Sequence, residues 1–313
     1  MIENMIIIGA GQAGLLAARR FAHYNPIVIE QQKSLPNNHG ALLRFRSDEI
    51  AKSLGIEFKK ITVYKGVLCA DRTTITNSPT IRDFNAYSYK TIKRIAERSI
   101  INIHNAVRYI APTSFITLLA NRTNIKYDKP FQGFIEDRRT IKGPIISTIP
   151  MPSLMEALNY HHGPIFDYQP IWSINCLLKD TDVYQTLYVP YDLDHPYRVS
   201  ITGDKMTLEF SSRPEIETPE NFIEQYLQIL HIHNECYDIS IKKQDYGKIV
   251  PIDDNERQKF ILWATDNYNI YSLGRYATWR QILLDDVLKD IAVIGKMISQ
   301  RSGYSRHLPW KDE

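Results

Sequence analysis

The chain predicts an α/β fold in two lobes, with an antiparallel sheet inserted into a parallel one, and three observations carry that expectation. Its 313 residues are about twice the ~150 of a typical domain. An apolar run at the N-terminus leads into closely spaced glycines and a helical pattern, and a similar run with a long amphipathic stretch closes the chain. Between them, short segments alternate apolar and polar residues, the period of half-buried strands.

Met5 to Ile8 is apolar throughout, as a buried parallel strand requires. It opens onto Gly9, Gly11 and Gly14 in the spacing GxGxxG. Gly9 permits the tight turn, Gly11 lets the backbone approach a phosphate, and Gly14 lets the next helix pack on its strand. That helix begins near Gln12, with Ala13 in its first turn and Ala18 in a small slot further on. Its free N–H groups and positive dipole end suit an anion. A second strand, Ile27 to Ile29, ends in Glu30, followed by Gln31. A carboxylate there suits ribose hydroxyls, and an acid rather than a base favours an unphosphorylated ribose, as in FAD or NAD. The unit reads as a Rossmann-like nucleotide site of Gly9, Gly11, Gln12, Ala13, Gly14, Glu30 and Gln31.

Further along, Ser47 to Leu54 reads as helix, Phe58 to Leu68 as strand, and Tyr87 to Ala96 as helix. Thr113 or Ser114 starts another helix within Pro112 to Leu119, and Ile125 to Tyr127 makes a short strand. Ile145 to Ile149 is a second buried strand, stopped by Pro150 and Pro152. Strand-like segments then follow at Pro170 to Leu178, Thr186 to Val189, Arg198 to Thr202 and Met206 to Phe210. Gly203-Asp204 turns the last two into a hairpin, so these segments form an antiparallel sheet. After a helix at Pro219 to Leu230, the strand Asn269 to Leu273 ends in Gly274-Arg275, and a long helix runs from about Thr278 to Ser299. The expected division is a discontinuous nucleotide domain of residues 1–60, 102–152 and 245–313, with 61–101 and 153–244 as substrate lobe and insertions.

Net charge is only +3, but residues 40–101 carry twelve Lys and Arg against six Asp and Glu. An excess of six beside a nucleotide site suggests an anionic partner, either a small substrate or a nucleic acid. Cys69, Cys176 and Cys236 are too scattered for a redox pair or a zinc set, and no metal is expected. The opening MIEN carries an acid where a leader would be basic, and no run reaches the ~18 apolar residues of a membrane span. A cytoplasmic protein without a membrane partner is expected.

The C-terminal run YSLGRYATWRQILLDDVL, joined to the N-terminal fingerprint, resembles the FAD-binding amine-oxidase superfamily, especially its UDP-galactopyranose mutase branch. That resemblance implies a FAD-binding domain of glutathione-reductase type and non-covalent FAD. It implies that Gly274 and Arg275 meet the FAD pyrophosphate, and that Asp285 or Asp286 approaches the ribityl chain. The mutase branch also has a His-x-Phe-His motif after the second strand. Aligned on Phe45, this chain has Leu43, Arg44, Phe45 and Arg46 instead, so both histidines are missing and His39 is the nearby candidate. A branch segment of the form Pro-Tyr-x-Arg resembles Pro196-Tyr197-Arg198, one residue shorter, which implies Arg198 as a substrate anchor. With Arg44, Arg46 and His39, it completes the expected substrate set. The stretch NNHGALLRFRSDEIAKSLG also resembles phage flavoproteins, some associated with DNA base hypermodification, which would place the protein in a host cytoplasm.

Only one GxGxxG is present, which argues against flavin reductases that take hydride through a second nucleotide domain. HExxH and GxSxG are absent from the sequence, and hydrolytic and metal-dependent readings therefore lack support. What remains is an amine-oxidase type of FAD-dependent oxidoreductase acting on a C–N or similar bond of a polar, anionic substrate, with Trp172, Trp263 and Trp279 as candidates for an aromatic wall. Two alternatives use the same fold: a redox-neutral enzyme or lyase acting on a modified nucleotide or base in DNA, or a mutase-like isomerase. A flavin-binding scaffold without turnover is a third. No residue stands out as a catalytic base.

Overall fold

The structure is a computed structural model and describes residues 5–35, 44–95, 100, 103–132, 143–215 and 218–304. In chain order its elements are β1 (Ile6–Ile8), α1 (Gln12–Arg20), β2 (Ile27–Ile29), β3 (Arg44–Phe45), α2 (Glu49–Leu54), β4 (Lys59–Leu68), β5 (Ile75–Thr76), α3 (Ile81–Ile92), β6 (Ala106–Ile110), α4 (Phe115–Ala120), β7 (Asn124–Lys126) and β8 (Ile145–Ser147). They continue with α5 (Met151–Ala157), β9 (Tyr168–Leu178), β10 (Val183–Tyr188), β11 (Arg198–Gly203), β12 (Lys205–Phe210), α6 (Pro219–Ile229), β13 (Cys236–Ile249), α7 (Asp254–Tyr268), β14 (Ile270–Ser272) and α8 (Leu284–Tyr304).

The first sheet has the order β14-β8-β1-β2-β7 and every pairing in it is parallel. Alternation splits its side chains between two cores. Ile7, Val28, Ile146 and Tyr271 face α1 and α8, meeting Leu15, Leu16, Val287 and Ile291. Ile8, Ile29, Ile145 and Ile270 face the opposite way, against Met151 and Leu154 of α5 and Phe260 and Ala264 of α7. Strands buried on both faces read as continuous apolar runs, which is why β1, β2, β8 and β14 were legible.

The second sheet runs β13-β9-β12-β11-β10-β4-β6-β3, with β5 added beside β4. It is mixed, because β10 pairs in parallel with β4. The expected antiparallel sheet is corrected in that respect: it gains β3, β4 and β6 from the first third of the chain. It also gains β13, whose 14 residues cross the expected boundary at 245. One face packs against α6, with Val199, Ile201, Met206 and Leu208 under Ile223, Tyr226 and Leu227. By the same alternation Arg198, Ser200 and Thr202 of β11, Thr207 and Glu209 of β12, and Thr186 and Tyr188 of β10 share the other, polar face.

Two helix starts differ from expectation. A reciprocal cap between Thr80 and Asp83 begins α3 at Ile81, ahead of Tyr87. The long last helix begins at Leu284 rather than Thr278. Thr278 instead closes a turn, its N–H and hydroxyl both donating to the Gly274 carbonyl, and Trp279 is left-handed at φ 46°. Asp286 accepts from the Leu283 N–H at 3.0 Å and caps the true start. Among the described residues no helix is long and apolar enough to cross a membrane.

Candidate dinucleotide cradle and polar face

Each glycine of the fingerprint has a distinct surrounding. Gly9 has φ +99°, a left-handed conformation, and a Cβ there would lie 2.5 Å from Thr148 Oγ1. A Cβ on Gly14 would lie 2.0 Å from the Gly9 carbonyl oxygen, so the helix can meet the strand turn only without a side chain. A Cβ on Gly11 would meet nothing within 4 Å. The backbone at Gly11 borders open space of the kind a ligand phosphate needs. No side chain caps α1, so its first N–H groups are available; Arg19 and Arg20 in its last turn complement the dipole.

Glu30 is buried and ties this turn together. One carboxylate oxygen accepts from Ala10 N–H at 2.8 Å, the other from Gln32 N–H at 2.9 Å. An ionised carboxylate has about four acceptor positions, which leaves two for ribose hydroxyls. Gln31 beside it is exposed. Gln12 helps line a cavity of about 790 Å³ that reaches across to Thr202 and Lys205 on the second sheet.

The C-terminal elements close onto the same place. Leu273 N–H donates to the Ser147 carbonyl, which carries β14 past β8 to Gly274. Gly274 is left-handed at φ +94°, and a Cβ there would lie 3.0 Å from Ala13 Cβ, so it abuts the first turn of α1. Arg275 follows, half-buried, with its Nε buried and without a hydrogen-bond partner. A buried donor left unmade costs about 1–3 kcal/mol, a cost that a bound anion removes. Tyr276 lies under the guanidinium, 5.8 Å from ring centroid to carbon, and accepts from Gln244.

The remaining expected site residues divide. Asp285 is buried, and its carboxylate accepts from the N–H groups of Arg46 at 3.0 Å and Ser47 at 3.2 Å. It therefore fastens α8 to the chain after β3. Arg46 pairs with Asp286 at 2.5 Å, and that bond raises the guanidinium. Arg198 pairs with Glu209, its cross-strand neighbour. Burial alone would raise the Glu209 carboxyl, but the Arg198 and Lys248 charges hold it down at about 2. Arg44 reaches over the polar face and has no carboxylate partner among the described residues. Its Nε donates to Thr202 at 2.6 Å, one terminal nitrogen to Thr186 at 2.7 Å, and the other to the Ile201 carbonyl at 2.5 Å. Burial, and then the nearby Arg198 charge, pushes its pKa down to about 10. His39 and Leu43 lie outside the described residues. Of the tryptophans, Trp279 is core: its indole N–H donates to the Val250 carbonyl, and it packs on Phe166 and Tyr246.

Sequence reasoning missed Lys65 and Arg108, which share the polar face with Arg44. The strand period of KKITVYKGVL would have marked Lys65, since it puts this lysine on the same face as the buried Val63 and Val67.

No protein-family model and no curated protein matches the chain. Its fold is shared with solved structures. Reduced UDP-galactopyranose mutase superposes with a TM-score of 0.68 at 14% identity, over 95% of this chain and 94% of that one. A flavoprotein/dehydrogenase from Cytophaga hutchinsonii gives 0.52 at 12% identity, over 99% and 81%. Aklavinone-11 hydroxylase, in a ternary complex with FAD and aklavinone, gives 0.50 at 12% identity, over 96% of this chain and 63% of that one. The fold is that of the Rossmann-type flavoproteins.

Proposed function

We propose that the chain is an FAD-dependent flavoenzyme that acts on a polar, anionic substrate at the polar face of its second sheet. The observation that carries this reading is one continuous cradle: the open approach at Gly11, Gly274 seated against Ala13, and the unpartnered Nε of Arg275 beyond. An extended dinucleotide has the length to use all three. In it the α1 N–H groups and the Gly11 backbone hold the pyrophosphate, Glu30 accepts from the ribose, and Arg275 supplies a charge-assisted bond. FAD bound there supplies the redox chemistry. The protein's own part is to orient the substrate and exclude water from it. Thr186, Thr202, Arg44 and the Arg198–Glu209 pair give that face fixed hydrogen-bonding groups.

The reaction we favour is of amine-oxidase type, oxidation of a C–N bond, which asks for little acid–base help from side chains and fits a site with no evident base among its described residues. The likeness to UDP-galactopyranose mutase over nearly the full length of both chains supports a second reading, a redox-neutral isomerase. Purified protein should be yellow, absorb near about 450 nm and release FAD on heating. Release of NAD, or of no chromophore, would overturn the cofactor assignment. Peroxide formation with an anionic amine supports the oxidase, whereas turnover of a sugar nucleotide without net redox change supports the isomerase.

A further inference from the structure

The three arginines that the sequence offers as anion holders are not equivalent. Arg46 is neutralised by Asp286, and Arg198 by Glu209. Arg44 gives its donors only to threonine hydroxyls and backbone carbonyls, so it is a held cation with no carboxylate bonded to it; Glu209, paired with Arg198, acts on it only at a distance.

Strand register brings two more cations to it. Arg44 stands opposite Ile110 on β6, and Arg108 is two residues along on the same face. Arg108 stands opposite Ile61 on β4, and Lys65 is four residues along β4, again on that face. Lys65 is in turn the parallel neighbour of Thr186, whose hydroxyl receives the Arg44 guanidinium. Lys65 and Arg108 are both half-buried. Burial, then the Arg108 and Arg44 charges, lowers the Lys65 ammonium. Among the described residues none of the three has a carboxylate partner, and Arg108 donates only to the adjacent Val107 carbonyl. Like charges gathered on a partly desolvated surface oppose one another, and an anion of matching charge relieves that strain.

We propose that Arg44, Lys65 and Arg108 form a subsite for a phosphate-type oxyanion on the polar face. This deepens the flavoenzyme reading and rests on it for the role of the anion, which is to anchor a phosphorylated substrate beside the cofactor. Arg44 supplies a fixed field, while Lys65 and Arg108 supply the free N–H donors. Three cations drawn from three strands suit a tetrahedral group with several oxygens better than a single planar carboxylate.

Inorganic pyrophosphate is the probe, titrated calorimetrically into the full chain saturated with FAD, so that the Gly11 loop is filled. Lys65→Gln and Arg108→Gln should each weaken binding about ten- to hundredfold, the range of one charge-assisted hydrogen bond. Added salt should weaken it further. Arg20→Gln, on the exposed end of α1, should leave it unchanged. Arg44 is left in place, because its bonds tie β3 to β10 and β11 and their loss would disturb the sheet itself. If pyrophosphate does not bind, or binds both variants as tightly as the unsubstituted chain, the subsite is refuted. A protein that retains no FAD refutes the flavoenzyme reading separately. The same titration in a Gly11→Ala background then reads the subsite without the cradle, and binding there that still depends on Lys65 and Arg108 upholds it.

Discussion

Gly11 and Gly14 are three positions apart, and a methyl group has a different consequence at each. On Gly14 it would lie 2.0 Å from a backbone oxygen that cannot yield without moving β1. Gly14→Ala should therefore destabilise the protein by about 1–3 kcal/mol, read as a lowered denaturation midpoint with or without cofactor. On Gly11 the methyl group meets open space, so Gly11→Ala should fold with unchanged stability when free of cofactor and retain less FAD. Equal losses of apo-protein stability in the two variants would show that Gly11 serves packing alone. Arg275→Ala should lower FAD retention about tenfold or more, since a charge-assisted bond is worth about 1.5–3 kcal/mol; full occupancy in the folded variant would remove Arg275 from the cradle. These residues were legible because their task is local: a glycine spacing within six positions, or a Gly-Arg step at a strand end. Arg44 was legible as a cation but not as this one. Its partners Thr186 and Thr202 lie 142 and 158 positions away, and only the folded sheet shows that, among the described residues, no carboxylate is bonded to it while Arg46 and Arg198 each have one.

Pairing between β11 and β12 sets a cross-strand ion pair, Arg198 opposite Glu209, on a face with other cations. Glu209 titrates at about 2 when folded and near 4.5 when unfolded, so the sign is that of a depressed carboxylate. Its stabilisation is full above about pH 4.5 and is lost as the pH falls through about 2. Glu209→Gln should flatten the acid limb of the stability curve between those values and cost up to about 3 kcal/mol at neutral pH; an unaltered acid limb would mean that the pair contributes nothing. The hairpin itself was readable from Gly203-Asp204 and two alternating runs. In contrast, β13 was not, because its register with β9 slips between Tyr237 and Ser240 and again between Gln244 and Lys248, and each slip breaks the period that marks a strand. Helix α7 was missed for a related reason: its apolar residues do not gather on one stripe, since Leu262 is exposed while Phe260 and Ala264 are buried. The start of α8 lies beyond the expected Thr278 because that hydroxyl holds a turn, donating to the Gly274 carbonyl, rather than beginning a helix.

Strands from the first and last parts of the described chain come together at the cradle, so a ligand held there would brace the whole molecule. β1 begins the chain, β14 and α8 nearly end it, and the two lie one strand apart with β8 between them. The residues between 44 and 110 and between 168 and 249 build the second sheet, from which Thr202 and Lys205 face Gln12 across the same cavity. A dinucleotide in the cradle thus contacts segments more than 260 residues apart in sequence, from Gly11 to Arg275, and stabilises the assembled fold against any opening that separates them. At a concentration a hundred times its dissociation constant, FAD should add about 2.7 kcal/mol to unfolding, a rise of several degrees, on the order of 5 °C, in Tm for a protein of this size. ADP occupies the Gly11 and Glu30 end alone and should give a smaller rise, while NAD should fall short of FAD because it carries no flavin to fill the cavity. Hydrogen exchange at FAD saturation should slow in β1, the start of α1 and the 270–280 segment together, and remain as in the apo protein in α6, which packs on the far face of the second sheet. An equal Tm rise with ADP and FAD, with protection confined to the first thirty residues, would mean that only the N-terminal unit binds the ligand and that Gly274-Arg275 is a turn of the scaffold.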